Sequence, residues 1–196
     1  MSKPSIAIFI LAAGSSSRLG SPKQLAKING KTLLDSTIEA ASGSKADKVY
    51  VILGYDAKNI SKTINTDEVQ VLFNPNWNKG IGTSVKFAAK KLLVEIQDVD
   101  AAIFTVCDLP YLTSKHLNSL IDTFIKKNKS IVASSYNDIS GVPALFDRSQ
   151  FPKLLVIHDH TGAQPIISYA QPEDIVTIPF DKGSMDIDFL SDLDKL

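Results

Sequence analysis

The sequence has a single cysteine, Cys107, so no internal disulfide can form and a reducing compartment is expected. It has no net charge, with 21 Lys and Arg against 21 Asp and Glu in 196 residues. A neutral chain has no overall field with which to grip nucleic acid or an anionic membrane, so neither is an expected partner. An anionic ligand must instead meet a local cluster of positive groups. The apolar stretch at 6–13 is too short to span a bilayer. Lys3 and the small run Ala12-Ala13-Gly14 resemble the flanks of a signal peptide. Arg18 and Lys23 follow at once in a patterned loop, however, and the stretch reads as a buried strand, so a cytoplasmic location is expected. Histidine is scarce, and His158 and His160 stand two apart with no further Cys or His nearby, which argues against zinc. His116 reads as a plain surface or helix-face histidine. Repeats, low-complexity tracts and long linkers are absent.

What remains is an ordinary globular composition, 44% apolar and 21% charged, of a length that fits one domain over residues 1–196. Apolar runs rich in Val and Ile recur at 6–12, 49–53, 69–73, 101–106, 131–134, 142–146 and 175–178. Most lack polar alternation, as strands buried on both faces do, and such strands belong to largely parallel sheets. Between them lie segments of helical period. The clearest covers 83–96, where Val85, Ala88, Ala89, Leu92, Leu93 and Ile96 form one stripe. Another starts at Ser114, read as the N-cap, with Leu117, Leu120, Ile121 and Phe124 on one face. Weaker helices cover 32–41, 149–157, 165–170 and 189–196. The expected fold is α/β: a three-layer α/β/α domain around a mostly parallel, Rossmann-like sheet.

The first strand leads into Leu11-Ala12-Ala13-Gly14-Ser15-Ser16-Ser17-Arg18-Leu19-Gly20-Ser21-Pro22-Lys23. Glycines let backbone amides approach a ligand, turned amides form an anion nest, and Arg18 and Lys23 add counter-charge. A bare Gly/Ser turn would be an ordinary surface loop. The two cations directly after a buried strand favour a polyphosphate. Five residues separate Gly14 from Gly20 and Lys23 follows three later, which excludes a Walker A loop; no G-x-G-x-x-G fingerprint is present either.

Asp108 follows the run 101–106, at the carboxyl end of a central strand, where open α/β sheets bind ligands and where an Asp can also serve only as a turn cap. Asp186 and Asp188 precede a short amphipathic turn, and Asp188 can equally cap it. Residues 74–84 join a strand to the clearest helix and place Gly80, Thr83 and Ser84 at its start, where amides and hydroxyls are available to a ligand. This longest irregular stretch is expected to be functional rather than a domain boundary.

Together these segments resemble the nucleotidyltransferases of MobA-like fold. Leu11 to Lys23 follows L-A-A-G-x-S-x-R-x-G-x-x-K, with Leu19 where the family usually has Met. Cys107-Asp108-Leu109-Pro110 follows C-D-x-P, whose Asp binds Mg²⁺ in the family. Asp186-Ile187-Asp188 resembles the start of a closing D-I-D-T-P-E-D-L, with Phe-Leu-Ser in place of Thr-Pro-Glu. Asn74 to Ser84 follows N-P-x-W-x-x-G-x-x-x-S, and Gly141 to Phe146 follows G-x-P-A-L-F, both marks of the branch that cytidylylates the molybdenum cofactor. Asp159, Gly162 and Ala163 resemble a G-D-x-G-A segment of that branch, while His158 and His160 depart from it.

The resemblance implies transfer of CMP from CTP to the phosphate of molybdopterin, with release of pyrophosphate. It implies a nucleotide site at Leu11, Ala12, Ala13, Gly14, Ser16, Arg18, Lys23, Gly80 and Ser84. Arg18, Lys23 and Asp108 would be the catalytic groups, and Asp108 with Asp188 would hold Mg²⁺, or Mn²⁺ in its place. Gly141, Pro143, Asp159 and His160 would face the acceptor. The product would pass to a molybdenum hydroxylase or its chaperone. Other readings stay open: GTP as donor, another phosphorylated acceptor, or a non-catalytic cofactor carrier. A nicotinamide-dependent oxidoreductase is disfavoured by the missing dinucleotide fingerprint.

Overall fold

The structure, a computed structural model, describes residues 3–16 and 22–185. The strands are β1 (Ile6–Ala12), β2 (Lys27–Ile28), β3 (Lys31–Thr32), β4 (Lys48–Leu53), β5 (Gln70–Phe73), β6 (Ala101–Val106), β7 (Ile131–Tyr136), β8 (Ile139–Asp147) and β9 (Ile175–Pro179). The helices are α1 (Leu33–Ser42), α2 (Ala57–Ile60), α3 (Ile81–Val94), α4 (Ser114–Lys127), α5 (Phe151–Leu154) and α6 (Gln164–Ser168). All seven apolar runs become strands of one sheet, ordered β5-β4-β1-β6-β8-β7-β9; β2 and β3 form a separate ribbon.

Strand β1 shows why the sheet sits between two layers. Ile6, Ile8, Ile10 and Ala12 pack on one face with Leu34 and Ile38 of α1 and Leu117, Leu120 and Ile121 of α4. Ala7, Phe9 and Leu11 pack on the other with Val85, Ala88 and Leu92 of α3, Phe151 of α5 and Ile167 of α6. Successive side chains alternate across a strand, so a strand covered on both faces must be apolar throughout. Two carboxylates fix its start: Asp100 accepts from the Ser5 amide at 2.8 Å and Asp47 from the Ile6 amide at 2.9 Å.

The sheet is parallel except at β8, which runs antiparallel to both β6 and β7. The reversal comes from a two-residue turn at Asn137 and Asp138, whose φ values are 47° and 62°. Two central residues with positive φ make the turn that suits a hairpin's twist, and Asn and Asp adopt it readily. The register then shifts between Ala133 and Ser134, leaving Val142 and Pro143 outside the pairing, where a strand tolerates proline.

Helix starts also differ from expectation. Thr113, not Ser114, caps α4, accepting from the His116 amide at 3.3 Å. The helix expected over 149–157 is one turn long, α5, preceded by a 3-10 turn over Arg148–Gln150. The helix expected over 189–196 lies outside the described residues. His116 is buried rather than on the surface, with its ring stacked on Phe180 at 4.3 Å between centroids. Ser134 Oγ donates to the Pro143 carbonyl at 2.7 Å, so His116 Nε2, 2.8 Å away, donates to Ser134. Burial pushes the His116 pKa below its ordinary 6.5.

The chain runs from β1 outward to β4 and β5, then returns past β1 to β6. The winding direction therefore changes between β1 and β6, and the carboxyl ends of those strands open a crevice suited to a ligand. No helix among the described residues is long and apolar enough to cross a membrane.

Candidate active site

The loop leaving β1 is held by its carbonyls. Gln24 Nε2 donates to the carbonyls of Ala12 at 2.7 Å and Gly14 at 2.9 Å. The Tyr55 amide donates to the Ala13 carbonyl at 3.0 Å. Ser16, in the left-handed region at φ 52°, accepts from the Lys23 amide through Oγ at 2.9 Å. The amides of Gly14, Ser15 and Ser16 have no protein acceptor among the described residues. With the carbonyls of Ala12, Ala13 and Gly14 tied, these three amides give the loop the donor polarity an anion nest needs.

Lys23 and Asp108 meet beneath this loop. Lys23 opens the 3-10 turn Lys23–Leu25 and Asp108 follows β6, yet Nζ and Oδ2 are 2.7 Å apart. The side chains are 11% and 24% exposed, so solvent screens the pair far less than a surface ion pair. Asp108 Oδ1 is buried and has no hydrogen-bond partner. A buried carboxylate oxygen without a donor is costly unless a ligand or ion completes it. It is a hard ligand, and Mg²⁺ or Mn²⁺ needs only one or two carboxylates beside water and phosphate oxygens, so the donor set fits such a cation. No cluster of three or more metal-ligating side chains occurs among the described residues. Cys107 is buried beside Asp108; burial, helped by the neighbouring carboxylate, pushes its thiol up to about 12, so it stays protonated.

The facing wall is the 74–84 segment. A 3-10 turn over Trp77–Lys79 leads to Gly80, whose φ of 120° starts α3. Gly54 makes room for it, because a Cβ there would lie 2.3 Å from Trp77 Cβ. The loop at 158–160 presses on the first turn of α3. The Gly82 amide donates to the Asp159 carbonyl at 2.7 Å, and a Cβ on Gly82 would lie 2.1 Å from the His158 carbonyl oxygen. That amide, expected to be open to a ligand, is therefore engaged. The Asp159 carboxylate reaches Lys86 at 2.6 Å, which together with nearby cations holds its pKa below 3.8.

Between the walls lies a cleft of about 330 Å³. The resemblance seen in the sequence is matched by direct comparison, since residues 8–175 match the MobA-like NTP transferase domain. The chain belongs to that family. It is 26% identical over 190 residues to the molybdenum cofactor cytidylyltransferase of Escherichia coli K12, covering 86% of this chain and 92% of that protein. It is also 26% identical over 151 residues to the bifunctional protein GlmU of Buchnera aphidicola, covering 76% of this chain but only 32% of GlmU, so the chain spans about a third of that relative's length. In fold it resembles Rv0371c of Mycobacterium tuberculosis, at 24% identity and a TM-score of 0.84, with 100% of this chain and 98% of that one covered. A complex of Rv0371c with manganese aligns at a TM-score of 0.78 and 22% identity, covering 98% of this chain and 97% of that one.

Within this MobA-like NTP transferase domain, the cleft brings together Leu11, Ala12, Ala13, Gly14, Ser16, Lys23, Gly80, Ser84 and Asp108. Arg18, Asp186 and Asp188 lie outside the described residues. The four residues assigned to the acceptor are not among those lining the cleft. Gly141 packs under Tyr136, whose hydroxyl would lie 2.4 Å from an added Cβ, and Pro143 is buried. Asp159 faces Lys86, while His160 is exposed, with Nδ1 2.8 Å from where a Gly80 Cβ would be. Sequence reasoning missed Gln24, Trp77 and Asn78 as lining residues. Gln24 had one usable signal, a long polar side chain directly after the loop's lysine, where the chain must turn back under the loop.

Proposed function

We propose that this chain transfers CMP from CTP to the phosphate of molybdopterin, releasing pyrophosphate. The observation that carries the reading is the loop with its carbonyls at 12–14 tied, beside the half-buried Lys23–Asp108 pair, at the point where the sheet changes winding direction. The choice of CTP and molybdopterin rests on the near full-length match to the Escherichia coli cytidylyltransferase and on the 74–84 and 141–146 segments.

In this reading the free amides of Gly14, Ser15 and Ser16 bind the triphosphate, with Arg18 adding charge. A phosphate oxygen of molybdopterin attacks the α-phosphorus of CTP. The new oxygen–phosphorus bond forms as the bond to the β-phosphate oxygen breaks, and that electron pair leaves with pyrophosphate. No covalent enzyme intermediate is needed; alignment and charge neutralisation supply the catalysis. Asp108, through its unpartnered Oδ1, and Asp188 would hold Mg²⁺, which would neutralise phosphate charge when bound. Lys23, held in place by Asp108, donates to the oxygens that gain charge as pyrophosphate departs. Ala13 narrows the base pocket against a purine. Gly141 and Pro143, near the start of β8 beside the carboxyl end of β6, back the acceptor side without lining the cleft, and exposed His160 and its neighbour Asp159 lie at the α3 edge. The product would pass to a molybdenum hydroxylase or its chaperone.

The test is pyrophosphate release with Mg²⁺ and molybdopterin, comparing CTP with GTP and replacing molybdopterin by a sugar phosphate. Release with CTP and molybdopterin alone is the expected result. Release only with GTP or only with the sugar phosphate would overturn the substrate assignment.

A further inference from the structure

Asn74 closes the second wall of the cleft, and its hydrogen bonds dictate what that wall offers a ligand. It is 1% exposed. The Asn76 amide donates to Asn74 Oδ1 at 2.9 Å, which fixes the side-chain amide with Nδ2 toward α3. Nδ2 then donates to Thr83 Oγ1 and to Ser84 Oγ, each at 3.0 Å. Thr83 passes its own proton to the carbonyl of Gly80 at 2.8 Å or Asn76 at 3.0 Å. Ser84 has no such outlet. Its Oγ accepts from Asn74, and no described residue takes its proton. Ser84 is 2% exposed and lines the cleft, so the proton has only the cleft to face.

We propose that Asn74 is a positioning residue that fixes Ser84 as a hydrogen-bond donor to the bound nucleotide, so that this wall takes an acceptor atom of the ligand. The inference rests on the cleft binding a nucleotide. A carboxylate at position 74 would reverse the wall: it could only accept, Ser84 would donate to it, and the cleft would meet lone pairs instead.

Trp77 is the only tryptophan in the chain and lines the cleft, so its fluorescence reports nucleotide binding without any acceptor or turnover. CTP is titrated into the wild-type chain, Asn74→Asp, Ser84→Ala and the double variant, each checked by circular dichroism. Each single change is expected to raise Kd about tenfold, the scale of one lost buried hydrogen bond, and the double change no further. A purely structural Asn74 would not spare the double variant, so losses that multiply to about a hundredfold overturn the proposal. Asn74→Asp buries a charge, so the same cycle is run with Asn74→Ala, which removes the donor without adding one; multiplication there overturns the proposal equally. An unchanged Kd in both Asn74 variants beside a normal wild-type quench overturns this inference alone. No quench by any nucleotide in the wild-type chain overturns the nucleotide reading and the inference with it.

Discussion

The two walls of the cleft carry similar sequence but offer different donors, backbone amides on one and a side-chain hydroxyl on the other. Both follow a strand, and both combine glycine, serine or threonine, and lysine. In the loop after β1 a side-chain amide, Gln24 Nε2, holds two carbonyls, and the amides of Gly14, Ser15 and Ser16 find no acceptor among the described residues. At the start of α3 a carbonyl from a distant loop, that of Asp159, takes the Gly82 amide, and a serine hydroxyl is left instead. The first wall suits a dense negative charge, the second a single acceptor atom. What a Gly/Ser loop offers a ligand is thus set by which of its own groups the rest of the fold already engages.

The sharpest test of the first wall is its charged floor. Asp108→Asn or Lys23→Ala should each lower kcat by about 10²–10³, the usual cost of one preorganised electrostatic contact. Steady-state pyrophosphate release measures it, and near-normal turnover in both variants would remove the pair from the site. Gln24→Glu should come next. The carboxylate cannot donate, so it would set an oxygen against the carbonyls of Ala12 and Gly14 and open the loop. Nucleotide Kd should rise by about 10- to 100-fold, corresponding to two lost buried hydrogen bonds. If affinity survives while stability drops, the loop does not depend on its carbonyl clamp.

Gly82→Ala tests the second wall through its scaffold. The new Cβ would lie 2.1 Å from the backbone oxygen of His158, so either α3 or the 158–160 loop must shift. Small-to-large changes in packed sites cost about 1–3 kcal/mol, or about 2–12 °C in Tm for a domain of this size. Thermal melts report the cost. An unchanged Tm would show that the loop sits loosely on the helix and that the Gly82 amide is open to ligand after all.

The sequence made the sheet legible because strands covered on both faces must be continuous apolar runs, and every such run became a strand. The direction of β8 was not legible from that signal. It is set by Asn137 and Asp138, two residues whose positive φ closes a hairpin, and a polar dipeptide carries far less signal than six apolar residues in a row. Among the described residues the cleft was legible along the chain at Leu11 to Gly14, Ser16 and Lys23, at Asp108, and at Gly80 and Ser84. Groups acting across the chain were not. Gln24 clamps residues 10 and 12 positions earlier, and Asp159 reaches Lys86 across 73 positions. His116 gave no sign of burial because its partners, Ser134 and Phe180, come from other elements.

The smallest expected effect separates the carbonyl of Asp159 from its carboxylate. The carbonyl holds the Gly82 amide and survives any side-chain change; the carboxylate only pairs with Lys86, at the surface. The Lys86 hydrogen bond, aided by the charges of Lys86, Lys79 and His160, keeps the carboxyl below its ordinary 3.8. A lowered folded pKa means stability that is present above the unfolded value and lost as pH falls through the folded one. Asp159→Asn should therefore melt slightly below the wild type at neutral pH, and the gap should close once the medium is acid enough to protonate the carboxylate. Thermal melts at both extremes measure it. A large gap at neutral pH would mean that the ion pair, rather than the Gly82 amide, anchors the 158–160 loop to α3, and the second wall would then owe its shape to charge.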